Sequence, residues 1–149
     1  LINQATNWLM NNNIPQRIGS KHPNIAPYGE IFTTKDDRQI TLAIGSDRQF
    51  QDLCDILDAD NLAMNPNYKT NGDRVENRTA LAQSLEKKIK QWQADQLLTT
   101  CRDNLVPAAE IKNMQQVFEQ EQAKQLLLKE TIEGRKTVRP RTSTFHIES

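Results

Sequence analysis

Residues 17–57 read RIGSKHPNIAPYGEIFTTKDDRQITLAIGSDRQFQDLCDIL and decide the fold. They set a proline-pinned loop, a hairpin and a capped helix in succession. Pro23 and Pro27 flank Asn24-Ile25-Ala26. Each proline fixes its own φ and pushes the preceding residue toward extended backbone. Two strand-like runs follow, residues 29–34 and 39–45, joined by the polar connection Lys35-Asp36-Asp37-Arg38, which has hairpin length. Ile31 alternates with Thr33, and Ile40, Leu42 and Ile44 alternate with Thr41 and Ala43, so one sheet face is expected to be apolar. Ser46 with Gln49 three residues on fits a capping box. It opens a helix that sets Phe50, Leu53, Cys54 and Leu57 on one face.

Working outward, residues 2–10 read as a helix with Ile2, Ala5, Trp8 and Leu9 near one face, stopped by Asn11-Asn12-Asn13 and Ile14-Pro15. Downstream of the hairpin, the loop 58–69 carries Pro66 and leads to Asn71 as an N-cap. A long helix is then predicted to about Trp92, with Leu81, Leu85, Ile89 and Trp92 spaced at four and three. Another over 94–104 places Leu97, Leu98, Cys101 and Leu105 on a stripe, which signifies core rather than a cofactor box. Val106-Pro107 turns into a short strand ending at Ile111. Asn113 caps a helix containing Val117 and Phe118, and residues 120–128 also read as helical. Gly134 breaks the chain before the basic, extended segment 135–141, where Pro140 forbids a central strand position. The fold class is therefore α+β: a small antiparallel β-sheet packed with several helices.

Lysine plus arginine and aspartate plus glutamate each number 19 in the 149 residues, a formal charge of zero. Nothing in that balance calls for nucleic acid or an anionic membrane. No apolar run reaches membrane-helix length, no signal-peptide pattern opens the chain, and a cytoplasmic protein is expected. The hydrophobic fraction of 36% falls below the roughly 45–50% of ordinary globular domains. A domain that completes itself against a neighbour accounts for this, and Leu1 in first position suggests a piece of something longer. Cys54 and Cys101 read as small buried apolar residues rather than a disulfide. His22 and His146 stand at opposite ends, and no zinc-type spacing or phosphate-binding glycine loop is present. No metal site is expected.

Two readings of the proline loop stand on residue types alone. It presents the N–H groups of Asn24, Ile25 and Ala26 to an oxyanion, with His22 able to move a proton near neutral pH, or it is a plain crossover into an edge strand. Gly45 either admits close ligand approach or serves a strand-to-helix turn. The 135–141 cluster either meets phosphates or is a solvated edge.

Several segments resemble the class III CoA-transferases, the family of formyl-CoA transferase and carnitine CoA-transferase. The pattern Leu-x-Asn-Gln-Ala-x-Asn-x-Leu at residues 1–9 is similar to the helix preceding the family's small domain. Gly19, His22-Pro23-Asn24-Ile25, Pro27-Tyr28, Phe32, Ala43, Gly45, Asp47, Gln49-Phe50 and Leu53-Cys54 continue the resemblance. So do Leu62-Ala63, Asn65-Pro66, Thr70-Asn71, Arg74-Val75, Asn77-Arg78, Val106-Pro107-Ala108 and Val117-Phe118.

The resemblance implies a small-domain fragment. Residues 1–13 would end a linking helix from a missing large domain, 14–134 would form the small domain, and 135–149 would return toward the large one. It implies no covalently bound cofactor, coenzyme A thioester as substrate, and a carboxylic acid, carnitine-like or dicarboxylic, as its partner. An interlocked homodimer is implied as well. The family's nucleophilic aspartate lies upstream and no residue here matches it, so no catalytic residue is expected in this chain and no transferase activity from it alone. The loop His22, Pro23, Asn24, Ile25, Ala26 and the strand end Ala43, Ile44, Gly45 would line the substrate cleft. Prolines replace glycines of the formyl-CoA transferase loop, which implies a stiffer loop and a substrate other than oxalate or formate. A racemase of the same fold and a non-catalytic binding module are the alternatives.

Overall fold

A computed structural model of the chain describes residues 2–12, 14 and 16–141. The expectations resting on Leu1, Asn13, Pro15, His146 and the end of the return segment lie outside these residues. The chain divides into two compact units, residues 1–111 and 112–149.

The first unit opens with α1 (Ile2–Asn11), on which Trp8 and Leu9 are exposed. β1 (Tyr28–Thr33), β2 (Gln39–Ala43) and β3 (Ala108–Glu110) form an antiparallel sheet in the order β1-β2-β3. Phe32 stands opposite Ile40, and both turn into the core with Leu42 and Ile44. Successive strand residues face opposite sides, so Phe32 inward puts Ile31 outward. Ile31 is 47% exposed, and its expected place on the apolar face is corrected. The register slips between Tyr28 and Ile31, a bulge beside Gly29, whose φ is +80°.

α2 (Asp47–Ile56) closes the sheet's core face with Phe50, Leu53 and Cys54. Its start departs in one detail from the expected capping box. Ser46 Oγ accepts the Gln49 N–H, but Gln49 Oε1 reaches back to Gly45 N, 2.9 Å away, not to the cap itself. The stretch 58–69 folds into α3 (Asp60–Ala63) and a single 3-10 turn (Pro66–Tyr68).

The long helix predicted to Trp92 is two helices, α4 (Asn71–Glu76) and α5 (Arg78–Ile89). Thr70, not Asn71, is the cap: it exchanges hydrogen bonds with Asp73 in a full capping box. The break falls at Asn77, whose side-chain amide donates to the Asp73 carbonyl at 2.9 Å, an asparagine competing with the helix for its own backbone. Leu81, Leu85 and Ile89 of α5 join the core as the periodicity required, as do Leu97 and Cys101 of α6 (Ala94–Asp103). Asp36 in the hairpin turn accepts the Ala94 N–H at 3.0 Å and so caps α6 from another element. Arg38 forks onto Glu110 at 2.7 Å for both nitrogens, tying β2 to β3.

The second unit holds α7 (Met114–Phe118), capped by Asn113 and Gln116, and α8 (Glu121–Lys124). Beyond them the chain forms a hairpin of β4 (Leu127–Ile132) and β5 (Arg135–Pro140). The helix expected through residue 128 therefore stops at Lys124. A leucine run suits either period. The turn decides it, because Glu133 and Gly134 both take positive φ, 49° and 79°, the demand of a two-residue hairpin turn. Pro140 closes the last rung of this two-stranded ladder.

Candidate functional site

The loop that precedes β1 is built from its two ends inward. His22 N donates to Tyr28 O at 2.8 Å and Ser20 Oγ to Gly29 O at 2.6 Å, so the incoming chain lies across Gly29. The His22 and Tyr28 rings meet edge to face, with centroids 5.5 Å apart. The Ala26–Pro27 peptide is cis. Pro27 O accepts the Ile44 N–H at 3.0 Å. That bond brings Ala43, Ile44 and Gly45 beside the proline loop, so the two stretches predicted to share a site are neighbours.

Within this set Ala26 and Ile44 are fully buried and act as support for the rest. Asn24 and Gly45 are exposed, while His22, Pro23, Ile25 and Ala43 are half-buried. Of the three loop N–H groups that one of the two readings turns toward an oxyanion, those of Asn24 and Ala26 are already engaged within the protein. Asn24 N donates to His22 Nδ1 at 3.2 Å, and Ala26 N donates to Asn71 Oδ1 at 3.1 Å. Gly45 has no positive φ, and its N–H is held by Gln49.

What fixes the loop comes from α4 and α5. Asn71 Nδ2 donates to Asn24 O at 2.8 Å, and Arg74 Nε to Ala26 O at 2.8 Å. Arg78 Nη2 donates to His22 O at 2.5 Å and also to Ile25 O. The three positions follow i, i+3, i+7 spacing, one helical face kept across the break at Asn77. The sequence alone marks Asn71 as a helix cap and Arg74 and Arg78 only as part of a resemblance, none of them as a loop anchor. The signal was there: one asparagine and two arginines at helix-face spacing just after a cap.

Arg74 is wholly buried. Its guanidinium also donates to Tyr68 O at 3.1 Å, pairs with Asp47 at 2.7 Å, and lies 4.7 Å from the centre of the Phe50 ring. Five donors in a planar fork make arginine the side chain able to serve so many partners at once.

Arg78 Nε lies 2.9 Å from Glu30 Oε1, close enough for an ion pair but not aligned as a hydrogen bond. Burial pushes the Glu30 carboxyl above its ordinary range, and Arg78 opposes the shift. A carboxyl raised by folding contributes stability that is complete below its unfolded value and is lost as pH rises through its folded value. Glu30→Gln is therefore expected to gain stability relative to the parent as pH rises above about 4.5. Urea melts of both proteins across that window check the sign; a difference constant with pH is the opposing result.

Both cysteines are free and buried. Burial pushes the Cys54 thiol up to about 12 and Cys101 up to about 11. Since the thiolate is the reactive form, thiol reagents at neutral pH are expected to label neither until urea unfolds the chain. Labelling at the native-state collision rate would contradict this. Among the described residues no group of three or more His, Cys, Asp or Glu side chains is arranged to hold a metal, and no helix is long and apolar enough to cross a membrane. An open groove of about 410 Å³, lined by Ile31, Phe32, Ala82, Gln83, Glu86 and Lys87, lies between β1 and α5.

A helix-walled α+β unit with a backbone-anchored proline loop is the arrangement that comparison with known proteins places. The profile of CoA-transferase family III matches residues 1–147, and the chain belongs to that family. Succinate–glutarate CoA-transferase of Agrobacterium fabrum is 39% identical over 118 residues, 79% of this chain and 29% of the relative. Acetyl-CoA:oxalate CoA-transferase of Acetobacter aceti is 31% identical over 124 residues, 82% of this chain and 31% of the relative. The crystal structure of a CAIB/BAIF family protein from Brucella suis superposes with a TM-score of 0.78 at 37% identity, over 97% of this chain and 37% of that one. The chain thus spans about three tenths of the curated relatives' length.

Proposed function

We propose that this chain is the small-domain part of an acyl-CoA:carboxylate CoA-transferase whose acceptor is a dicarboxylic acid. The observation that carries the reading is family membership over residues 1–147, joined to relatives about three times as long. Residues 1–13 link from the large domain, 14–134 form the small one, and 135–149 return. The loop His22–Ala26 and the strand end Ala43–Gly45 line the acyl end of the cleft, with Asn24 and Gly45 as the exposed contacts.

In this reading the nucleophile is an aspartate of the large domain. Its carboxylate attacks the donor thioester, releasing CoA thiolate and leaving a mixed anhydride. The thiolate then attacks the aspartyl carbonyl, expelling the donor carboxylate and forming an aspartyl-CoA thioester. The acceptor carboxylate repeats the two steps in reverse and leaves as the new CoA thioester. No oxidant, metal or covalently bound cofactor enters the balance.

Of the two acceptor classes expected, the dicarboxylic one is favoured, because succinate, glutarate and oxalate, named in the two relatives, are all dicarboxylic acids. The stiff loop argues for the longer of these. An interlocked homodimer in the cytoplasm completes the reading, with surfaces such as exposed Trp8 and Leu9 covered in the assembly.

The test is a transfer assay on the full-length enzyme, offering succinyl-CoA with glutarate, oxalate or carnitine. Glutaryl-CoA formation is the expected result. Epimerisation of a 2-methylacyl-CoA without transfer would replace the reading with a racemase. Neither reaction, with no CoA binding, would leave a binding module. The chain alone is expected to bind CoA more weakly than micromolar, and calorimetry measures that directly.

A further inference from the structure

Between His22 and Ala26 the chain has no regular secondary structure, yet four of its five carbonyls accept hydrogen bonds from side chains 45 or more residues away. His22 O and Ile25 O are joined by one Arg78 nitrogen, Asn24 O is taken by Asn71, and Ala26 O by Arg74. Asn71 does more than donate. Its amide gives Nδ2–H to Asn24 O and accepts Ala26 N–H at Oδ1, the pattern a neighbouring strand offers to residues i and i+2. Arg78 in turn rests against buried Glu30 of β1, so its reach to both carbonyls is fixed from below. Loop carbonyls drawn toward α4 and α5 leave Asn24 and Tyr28 on the outer side, where both are exposed.

We infer that Asn71 and Arg78 are positioning residues for substrate selection, holding the 22–26 backbone as a preformed wall of the acyl pocket rather than as a lid that closes. This rests on the reading that the loop lines that pocket. Neither side chain touches substrate; each acts through the backbone it holds. A wall whose carbonyls are anchored every one or two residues cannot swing without breaking several bonds at once, each at the modest net cost of a hydrogen bond and at a higher one at Ala26 O, whose bond to Arg74 is buried. Selection then follows from fixed complementarity: a shift of even an ångström in such a surface is enough to change rates strongly.

The experiment uses the full-length enzyme and the ratio of kcat/KM for glutarate to that for succinate, with active sites titrated. A ratio is blind to the fraction of enzyme that folds. Asn71→Ala and, as a variant that keeps the charge against Glu30, Arg78→Lys are each expected to move the ratio by about tenfold, the size of one lost hydrogen bond. KM for the CoA donor should stay within about twofold, since the nucleotide end is remote from this loop in the reading above. Arg78→Ala should move the ratio further than Arg78→Lys. Asn24→Ala, an exposed loop side chain, serves as the direct probe. If Asn24→Ala shifts the ratio while Asn71→Ala and Arg78→Lys do not, the positioning role is overturned and the pocket reading stands. If none of the three shifts it, the pocket reading itself fails and the positioning role falls with it.

Discussion

Replacing Arg74 with alanine is expected to lower the unfolding free energy of this chain by about 3–5 kcal/mol, a large share of the roughly 5–15 kcal/mol that holds a domain together. The reasoning separates what the substitution does to each partner. Asp47 is 57% exposed on its side chain, so water takes over its solvation and the lost ion pair counts for little. The carbonyls of Ala26 and Tyr68 are less fortunate. Both accept from Arg74 in buried surroundings, and each orphaned acceptor costs about 1–3 kcal/mol. The vacated volume under Phe50 adds a cavity term. Arg74→Met distinguishes these contributions. It restores most of the volume and the contact with Phe50 but no donors, so it should recover only part of the loss. Urea titration followed by circular dichroism measures all three proteins, and a Met variant as stable as the parent would show that the carbonyls do not need the guanidinium.

Gly29→Ala is the second large effect, and it is steric. A Cβ at residue 29 would lie 2.1 Å from Ser20 O and 2.9 Å from its carbonyl carbon, both backbone atoms that cannot rotate away. The φ of +80° adds roughly 1–2 kcal/mol for any L side chain. Together with overpacking of about 1–3 kcal/mol, a loss of about 2–5 kcal/mol is expected. Gly19→Ala is the matched control: its φ is +73° with nothing within 4 Å of a Cβ, so it should show the φ cost alone. If the chain relieves the clash by releasing residues 18–22 instead, trypsin will cut at Lys21 in the Gly29 variant and not in the Gly19 variant. Equal melting points with equal protease resistance would refute the close approach.

Much of this fold was legible because local and global signals agreed. The hairpin turn, the Ser46 start of α2, the Leu81-Leu85-Ile89 stripe and the Asn113 cap each carry their own chemistry in a few adjacent residues. The errors came where two readings satisfied the same pattern. Ile31 and Phe32 compete for one inward position, and only the partner strand says that Phe32 wins. Thr70 and Asn71 are both capping residues, and only the reach of Asp73 chooses Thr70. Leu126-Leu127-Leu128 fits either period until the Glu133-Gly134 turn demands a strand. The proline loop was visible, but its anchoring was not, because the donors to its carbonyls lie 47 to 56 residues away and a loop carbonyl leaves no mark on the sequence. The same distance explains why residue types alone leave open whether the loop presents its N–H groups or is a plain crossover. Nothing nearby in the chain showed that Asn71 would claim one of them.

The outer side of β1 bears on how this protein survives at high concentration. A sheet edge with free N–H and C=O groups is a template on which strands of other chains stack into insoluble aggregates. Among the described residues the sheet ends at β1, which carries exposed Ile31, an arrangement that invites such stacking. Two features work against it. The bulge between Tyr28 and Ile31 spoils a straight register, and the Glu86 carboxylate sits over the edge at Thr33 N, 3.4 Å from each oxygen. An incoming strand would have to displace a charged group to make its first bond. The same acidic side chain that flanks the groove beside α5 therefore acts as a gatekeeper against aggregation.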